Sequence, residues 1–280
     1  MRIDLHTHST ASDGTDAPAQ VIAQASAVGL DVVALTDHES TSGWASARTQ
    51  ARLSGIGFVP GIECSAKLGR LSVHVLGYLI DPDNAELTAM TEKVRTERHI
   101  RADRIIAALS RDFPITVQDV SAQVTGDATI GRPHIADALV ARGVVPDRST
   151  AFRTILRPGS PYYASTFAPP PVDVVARIRA AGGVPVLAHP GRGLQSGELD
   201  EPEIRRLCDA GLLGIEVWHR ENDDAVRARL QSIAEHNGLI PTGSSDFHGT
   251  GKPNRLGENT TPEESLERIL AAGTGSAASL

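Results

Sequence analysis

Ile3-Asp4-Leu5-His6-Thr7-His8 opens the chain as a strand-like run, and a helical pattern, Ala17–Val28, and a second apolar run, Val32–Leu35, follow it. Ala17–Val28 sets Val21, Ile22, Ala25 and Val28 on one face and stops at Gly29, a residue suited to end a helix. The rhythm returns further on. Phe58–Ile62, Val184–Leu187, Gly214–Val217 and Leu239–Pro241 are of buried-strand type, and the helical patterns Pro171–Ala181 and Asp223–Asn237 end at Gly182-Gly183 and Gly238. Strands alternating with helices of this length build βα units around a mostly parallel sheet. The expected class is α/β, and 280 residues accommodate one barrel of ~250 residues with a modest insertion.

The alternation breaks after Val73–Ile80. A long charged helical stretch from Asp83 to about Asp112 is followed by helical candidates at Val117–Val124, Pro133–Arg142 and Ser149–Leu156, with no convincing strand between them. Residues 82–165 are therefore expected to be a helical insertion, closed by the stiff segment Ala168–Pro171, and residues 1–81 and 166–280 the barrel. Arg95, Arg98, Arg101 and Arg104 are most simply a solvated helix face. Only a small-residue tail after Ala271 is compositionally biased.

Hydrophobic residues at 40% and charged residues at 22% suit a soluble globular chain, and no apolar run nears the ~18 residues of a membrane span. Met1-Arg2 runs straight into the first strand, so no secretory leader is expected. Cys64 and Cys208 are too few for a disulfide framework and read as buried small apolar residues in a reducing, cytoplasmic compartment. The formal charge of −7 argues against sequence-independent adhesion to nucleic acid, duplex DNA included. Bound cations would still make a local potential positive, so an anionic substrate is compatible with that charge.

His6 and His8, two apart on a strand, send both imidazoles to one side. Asp13 follows the strand in Ser12-Asp13-Gly14; Asp37-His38 closes the second, Glu63 the third, His74 lies on the fourth, His189 ends Leu187-Ala188-His189, and Asp246 and His248 follow the last. Taken singly, His74 between Val73 and Val75 reads as an interior histidine and Asp13-Gly14 as a turn. Taken together, six of the 10 histidines and three carboxylates fall at strand positions that a barrel gathers on its carboxyl-terminal face, where such enzymes place their chemistry. Imidazoles and carboxylates without thiolate suit Zn²⁺, Mn²⁺ or Fe²⁺. Nine candidate ligands exceed one tetrahedral ion, so two or three ions are expected, with Glu63 bridging. Strand parity points Cys64 away from Glu63. Asp4, of the same parity as His6 and His8, is expected to orient one of them, and Asp37 to act likewise beside His38 within the catalytic group.

Leu5-His6-Thr7-His8-Ser9, Ser12-Asp13-Gly14, Thr36-Asp37-His38, Pro60-Gly61-Ile62-Glu63, Ala188-His189-Pro190 and Ser245-Asp246-Phe247-His248 resemble, in order, the motifs of the PHP family, named for polymerases and histidinol phosphatases. The resemblance implies a distorted, TIM-like (β/α)₇ barrel and a three-metal site. It would give His6, His8, Glu63 and Asp246 to one ion, Asp13, His38 and His248 to a second, and Glu63, His74 and His189 to a third. Gly131-Arg132-Pro133-His134-Ile135-Ala136 and Gly249-Thr250-Gly251-Lys252-Pro253 are similar to the branch of nucleoside 3′,5′-bisphosphate phosphatases and 5′-3′ exoribonucleases.

The implied reaction is hydrolysis of a nucleotide phosphate ester, either the 3′-phosphate of a bisphosphate or the 5′ end of a short RNA. A hydroxide held between two ions would attack phosphorus in line, since a metal lowers the pKa of water to ~7. Arg132, ahead of Pro133 at a helix start, would meet the phosphate with His134 and Lys252, His134 also serving to protonate a leaving oxygen. Without the resemblance Arg132 reads first as a solvated residue at a helix cap, and Lys252 reads equally as a loop lysine. Trp44, Tyr162, Tyr163 and Trp218 are available to stack on a base, with core packing the default for each. The rivals are a histidinol-phosphate-type phosphatase, a polymerase proofreading domain, disfavoured by the end at Leu280, and a silent metal-binding module, whose signature would be lost ligands. The sequence leaves the oligomeric state open.

Overall fold

The structure, a computed structural model, describes residues 1–124, 128–197 and 199–280. In chain order the elements are β1 (Ile3–Asp4), α1 (Pro18–Ala27), β2 (Val32–Leu35), α2 (Trp44–Ser54), β3 (Gly57–Leu68) and β4 (Leu71–Tyr78); then α3 (Ala85–Leu109), α4 (Val117–Ser121), α5 (Arg132–Ala141), α6 (Arg148–Thr154) and α7 (Pro171–Ala180). β5 (Val184–Ala188), α8 (Gly191–Ser196), α9 (Glu201–Asp209), β6 (Gly214–Trp218), α10 (Asp224–Asn237), β7 (Ile240–Gly243) and α11 (Glu263–Ala272) complete the chain.

The helix boundaries follow from local chemistry. Pro18 starts α1 with its φ already set for a helix, Asn84 accepts from Leu87 N–H to start α3, and Asp223 accepts from Val226 N–H to start α10. Gly238, at φ 66°, ends α10 in the left-handed region that glycine adopts without a Cβ clash.

The seven strands lie in sequence order in one sheet, which curls into a nearly closed barrel. A parallel bridge between Thr7 and Phe247 joins the two ends of the order, with His8 N–H donating to Phe247 C=O at 2.8 Å. β1, β2 and β3 pair in parallel, as do β5, β6 and β7. The sheet is mostly parallel, as expected, and β4 is the exception: it runs antiparallel to both β3 and β5. The reason is that β3 extends beyond Ile62 to Leu68 and turns back through Gly69-Arg70 as a hairpin. Successive residues of β2 point to opposite faces. Val33 and Leu35 join the cluster that packs α1, α2, α7, α9 and α10 on the sheet, and Val32 and Ala34 join Val59, Leu76, Tyr78 and Val186 in the other.

Between β4 and β5 the described residues hold helices and no strand, and α3, α4, α5 and α6 share a third apolar cluster built on Ile105, Ile106, Val120, Ile135, Leu139 and Ala151. No described helix is long and apolar enough to cross a membrane. Cys64 is buried in the core as expected; Cys208 is only partly buried.

Candidate metal centre

His6 and His8 follow β1, His38 and Asp13 lie in the loops after β2 and β1, Glu63 sits on β3, His189 follows β5, and Asp246 and His248 follow β7. His74 reaches the same place by another route. It stands in the amino-terminal half of β4, opposite Ser65, and because that strand is reversed this half lies level with the other strands' carboxyl ends. Three of the non-glycine residues with positive φ are here, Glu39 at 49°, His189 at 29° and Asp246 at 53°. Such backbone costs about 1–3 kcal/mol each and persists where surrounding contacts enforce it. His189 N–H, for one, donates to Glu216 Oε2 at 2.7 Å.

The structure brings all nine expected ligands together in four overlapping groups: His8, Asp13, His38 and His248; His6, Glu63 and His189; His6, His8 and Asp246; and His38, Glu63 and His74. Glu63 belongs to two of the four groups, and its two carboxylate oxygens reach five of the six histidines. Its Oε2 lies 3.3 Å from His6 Nε2, 3.1 Å from His8 Nε2 and 3.2 Å from His38 Nδ1; its Oε1 lies 2.9 Å from His74 Nδ1 and 3.1 Å from His189 Nε2. His6 Nε2 and His8 Nε2 are 3.0 Å apart, and Asp246 Oδ1 is 3.5 Å from each. A tetrahedral ion with ligands at ~2.0–2.1 Å has donor atoms ~3.3–3.4 Å apart, so these spacings fit a divalent cation. Among the described residues, the buried atoms His8 Nδ1, Asp13 Oδ1, His38 Nδ1 and His248 Nε2 make no aligned hydrogen bond, close as some of them lie to a carboxylate or imidazole, although buried polar atoms ordinarily make one. Two nitrogens facing at 3.0 Å gain nothing without a shared cation or proton. The donor set fits a metal cluster.

The electrostatics agree. Burial pushes the Glu63 carboxyl up, but His38, His6 and His74 outweigh it and hold it well below the usual range. Burial likewise opposes ionisation of Asp13, which His248 and His38 restore, and of Asp246, which Lys252 and His248 restore. Burial dominates at His38, and at His248, pushed down to about 4, so both tend to the neutral imidazole a metal requires.

Several supporting residues differ from expectation. Asp4 does not touch an imidazole: its carboxylate accepts from Ser245 N–H at 3.0 Å and Gly257 N–H at 2.9 Å, tying β1 to the loop after β7. Glu216 takes the orienting role, with Oε1 at 3.3 Å from His6 Nδ1 and a further bond from Ser244 Oγ. A lone carboxylate in the apolar run Gly214-Ile215-Glu216-Val217 was a sequence signal for it. Asp37 spends its oxygens on Ser9 N–H and Oγ and Ser12 Oγ, at 2.6–2.8 Å, so it shapes the loop that carries Asp13 rather than orienting His38. Lys252 donates to Asp246 Oδ2 at 2.7 Å, while the other oxygen of that carboxylate, Oδ1, faces His6 and His8. His219, buried beside His189 and 3.7 Å from Asp246 Oδ2, follows the apolar run Gly214–Val217 and so carried the same strand-end signal as the expected ligands, though it is not among them.

A cavity of about 240 Å³ opens on Asp13, His38 and His74. Arg98, Arg101 and Arg132 line it, with Lys67 and Arg70 from the β3–β4 hairpin. Arg98 and Arg101 thus correct the solvated-face reading. They interleave with Val94, Ala102 and Ile105 at helical spacing, and that stripe of α3 faces the barrel, while Arg104 is exposed. Arg132 stacks on Phe152 at 5.4 Å. His134 is buried at the start of α5, its Nδ1 accepting from Gly131 N–H at 3.0 Å, which leaves the proton on Nε2; burial lowers its pKa. It lies beside a second opening with Ser12, Gly14 and Arg148. Trp44 is core, donating to Gly61 C=O, and Tyr162 packs on Phe113 and bonds Asp112.

Residues 4–136 match the model of the PHP domain. Over 256 residues, 90% of this chain and 89% of its relative, the sequence is 38% identical to the 3′,5′-nucleoside bisphosphate phosphatase of Chromobacterium violaceum. The chain belongs to the PHP family. Other PHP relatives are a phosphoribosyl 1,2-cyclic phosphate 1,2-diphosphodiesterase of Eggerthella lenta, 33% identical over 88% of this chain and 94% of that one, and a 5′-3′ exoribonuclease of Haemophilus influenzae, 31% identical over 88% and 90%. Among solved structures, a candidate metal-dependent phosphoesterase from Bifidobacterium adolescentis superposes with a TM-score of 0.94 at 42% identity, covering 97% of this chain and 96% of that one.

Proposed function

We propose that the protein is a metal-dependent phosphoesterase that hydrolyses a nucleotide phosphate ester, the 3′-phosphate of a nucleoside 3′,5′-bisphosphate or the 5′ end of a short RNA. The observation that carries it is the juxtaposition of the nine-ligand cluster with a cavity walled by Arg98, Arg101 and Arg132. The relatives' activities, all on phosphate esters of ribose derivatives or RNA, support the same class. On the family resemblance, two or three ions would be held by His6, His8, Glu63 and Asp246; by Asp13, His38 and His248; and by Glu63, His74 and His189, all of which lie in the one cluster, and Mn²⁺, Zn²⁺ or Fe²⁺ would suit them. Bound ions supply Lewis acidity toward phosphoryl oxygens and a water acidified toward neutral pH.

The chain's own residues do the rest. Arg132 and Arg98 place charged N–H donors over the floor of the cavity, where they hold the phosphate and offset charge that builds on its oxygens. His134, on the neighbouring opening beside Ser12 and Gly14, would offer its Nε2 proton to an oxygen that departs on that side. Residues 82–165 act as the substrate cap over the barrel formed by 1–81 and 166–280. A small amine such as histidinol phosphate would want acidic groups on the outer wall, where this cavity carries Lys67, Arg70 and Arg101.

The test is phosphate release by the purified protein with Mn²⁺ from a nucleoside 3′,5′-bisphosphate, and nucleotide release from short RNA. Cleavage of histidinol phosphate in the absence of both would overturn the nucleotide assignment.

A further inference from the structure

Large aromatic side chains left in solvent mark contact sites more often than chance, since each forgoes burial of 150–250 Å². Among the described residues, Tyr163 and Phe167 are the aromatic side chains that stay exposed, at 39% and 40%. Both line the same cavity, the one whose floor is Asp13, His38 and His74. Their neighbours in sequence behave otherwise, Tyr162 packing into the helical cluster.

The two rings are held rather than loose. Arg101 lies 5.5 Å from the centre of the Tyr163 ring, and its Nε donates to Ala164 C=O at 2.7 Å. Lys93 Nζ lies 4.3 Å from the centre of the Phe167 ring, and Pro169 C=O accepts from Lys67 N–H at 2.9 Å, pinning this segment to the β3–β4 hairpin. A cation against each ring fixes it and still leaves it exposed. The mouth of the cavity therefore presents two exposed rings, each against a cation, over arginine walls and a floor of metal-ligand residues.

We propose that Tyr163 and Phe167 form a stacking platform for the base of a nucleotide whose scissile phosphate sits on the floor beside Asp13, His38 and His74. This rests on the nucleotide reading of the site and sharpens it: the protein selects a phosphate ester that carries a nucleobase over the same sugar phosphate without one. Stacking reads the π-face that every base has, so the platform tolerates all four bases.

The experiment compares steady-state hydrolysis of adenosine 3′,5′-bisphosphate and of an abasic ribose 3,5-bisphosphate by the full chain with Mn²⁺. The wild type should favour the nucleotide. Tyr163→Ala and Phe167→Ala should each raise its KM about 5- to 100-fold, the loss expected for one stacked base, while kcat and the kinetics on the abasic compound stay within about twofold. Tyr163→Phe and Phe167→Tyr should restore the wild-type KM. Unchanged KM in both alanine variants, or an equal loss on both substrates, would overturn the platform with the nucleotide reading intact. Failure of the wild type to cleave the nucleotide while it cleaves the abasic compound would remove both.

Discussion

Arg98 Nη2 lies 3.0 Å from Glu39 Oε2 and donates to Ser65 Oγ at 2.6 Å, so one guanidinium ties the long helix α3 to the strand that carries Glu63. Glu39 is buried, sits in left-handed backbone two residues after Asp37, and also accepts from Ser65 N–H at 2.6 Å. Its carboxylate therefore sets where Arg98 points into the cavity.

Glu39→Ala should free Arg98 and leave it unpaired in a part-buried site, lowering stability by about 1–3 kcal/mol and kcat/KM about 10-fold or more. Glu39→Gln keeps an acceptor for Ser65 N–H and should lose less of both. Thermal unfolding alongside steady-state kinetics checks this; wild-type kinetics in the alanine variant would remove Glu39 from any positioning role.

His8→Ala and Glu63→Ala strike two residues that between them belong to all four ligand groups. Each should lower turnover on the order of 10³-fold, because several kcal/mol of charge stabilisation depend on the bound ions. Elemental analysis should find less bound metal in both, and full activity in either would end the metal-site proposal.

Glu216→Ala and Lys252→Met act one layer below the ligands, on His6 and Asp246. The expected result is a 10- to 100-fold weaker response to added Mn²⁺, with activity recovered at saturating metal. A raised substrate KM in Lys252→Met at saturating metal would instead return Lys252 to the phosphate.

Chelation should abolish activity and lower the melting temperature, both reversed by Mn²⁺, because an ion at 100 times its Kd stabilises the native state by about 2.7 kcal/mol. Scanning calorimetry before and after treatment with a chelator measures it.

Asp119, bonded by Arg142 at 2.6 Å and by Thr116, has its pKa lowered first by Arg142. A depressed carboxyl adds stability that is present above its unfolded value of 3.8 and disappears as pH falls through the folded value. Asp119→Asn should therefore melt below the wild type at pH 6, the gap closing toward pH 3. A gap that failed to narrow as the pH fell below 3.8 would show that the charge is not its source.

The histidines and carboxylates were legible because each closes or follows an apolar run, and a barrel gathers such positions whatever the loops do. His74 was legible as a candidate, but its route was not. Glu63-Cys64-Ser65-Ala66-Lys67 lacks the β-branched residues that announce a strand, so the hairpin that reverses β4 stayed hidden. The partners of Asp4, Asp37 and Lys252 were hidden for a related reason: parity and adjacency say which side a residue takes, and only the fold says which donor or acceptor meets it.

By itself, the sequence determined an α/β chain with repeated βα units, a metal-ligand constellation spaced along it and a helical stretch between Ile80 and Pro171, because periodicity and residue chemistry are local properties. The tertiary structure alone decided that Arg98 and Arg101 turn inward, that Glu216 rather than Asp4 steadies His6, and that Tyr163 and Phe167 remain uncovered at the mouth of the metal-lined cavity. Those outcomes depend on which face of α3 meets the barrel and on which residues distant in sequence share one pocket, and no local pattern encodes either.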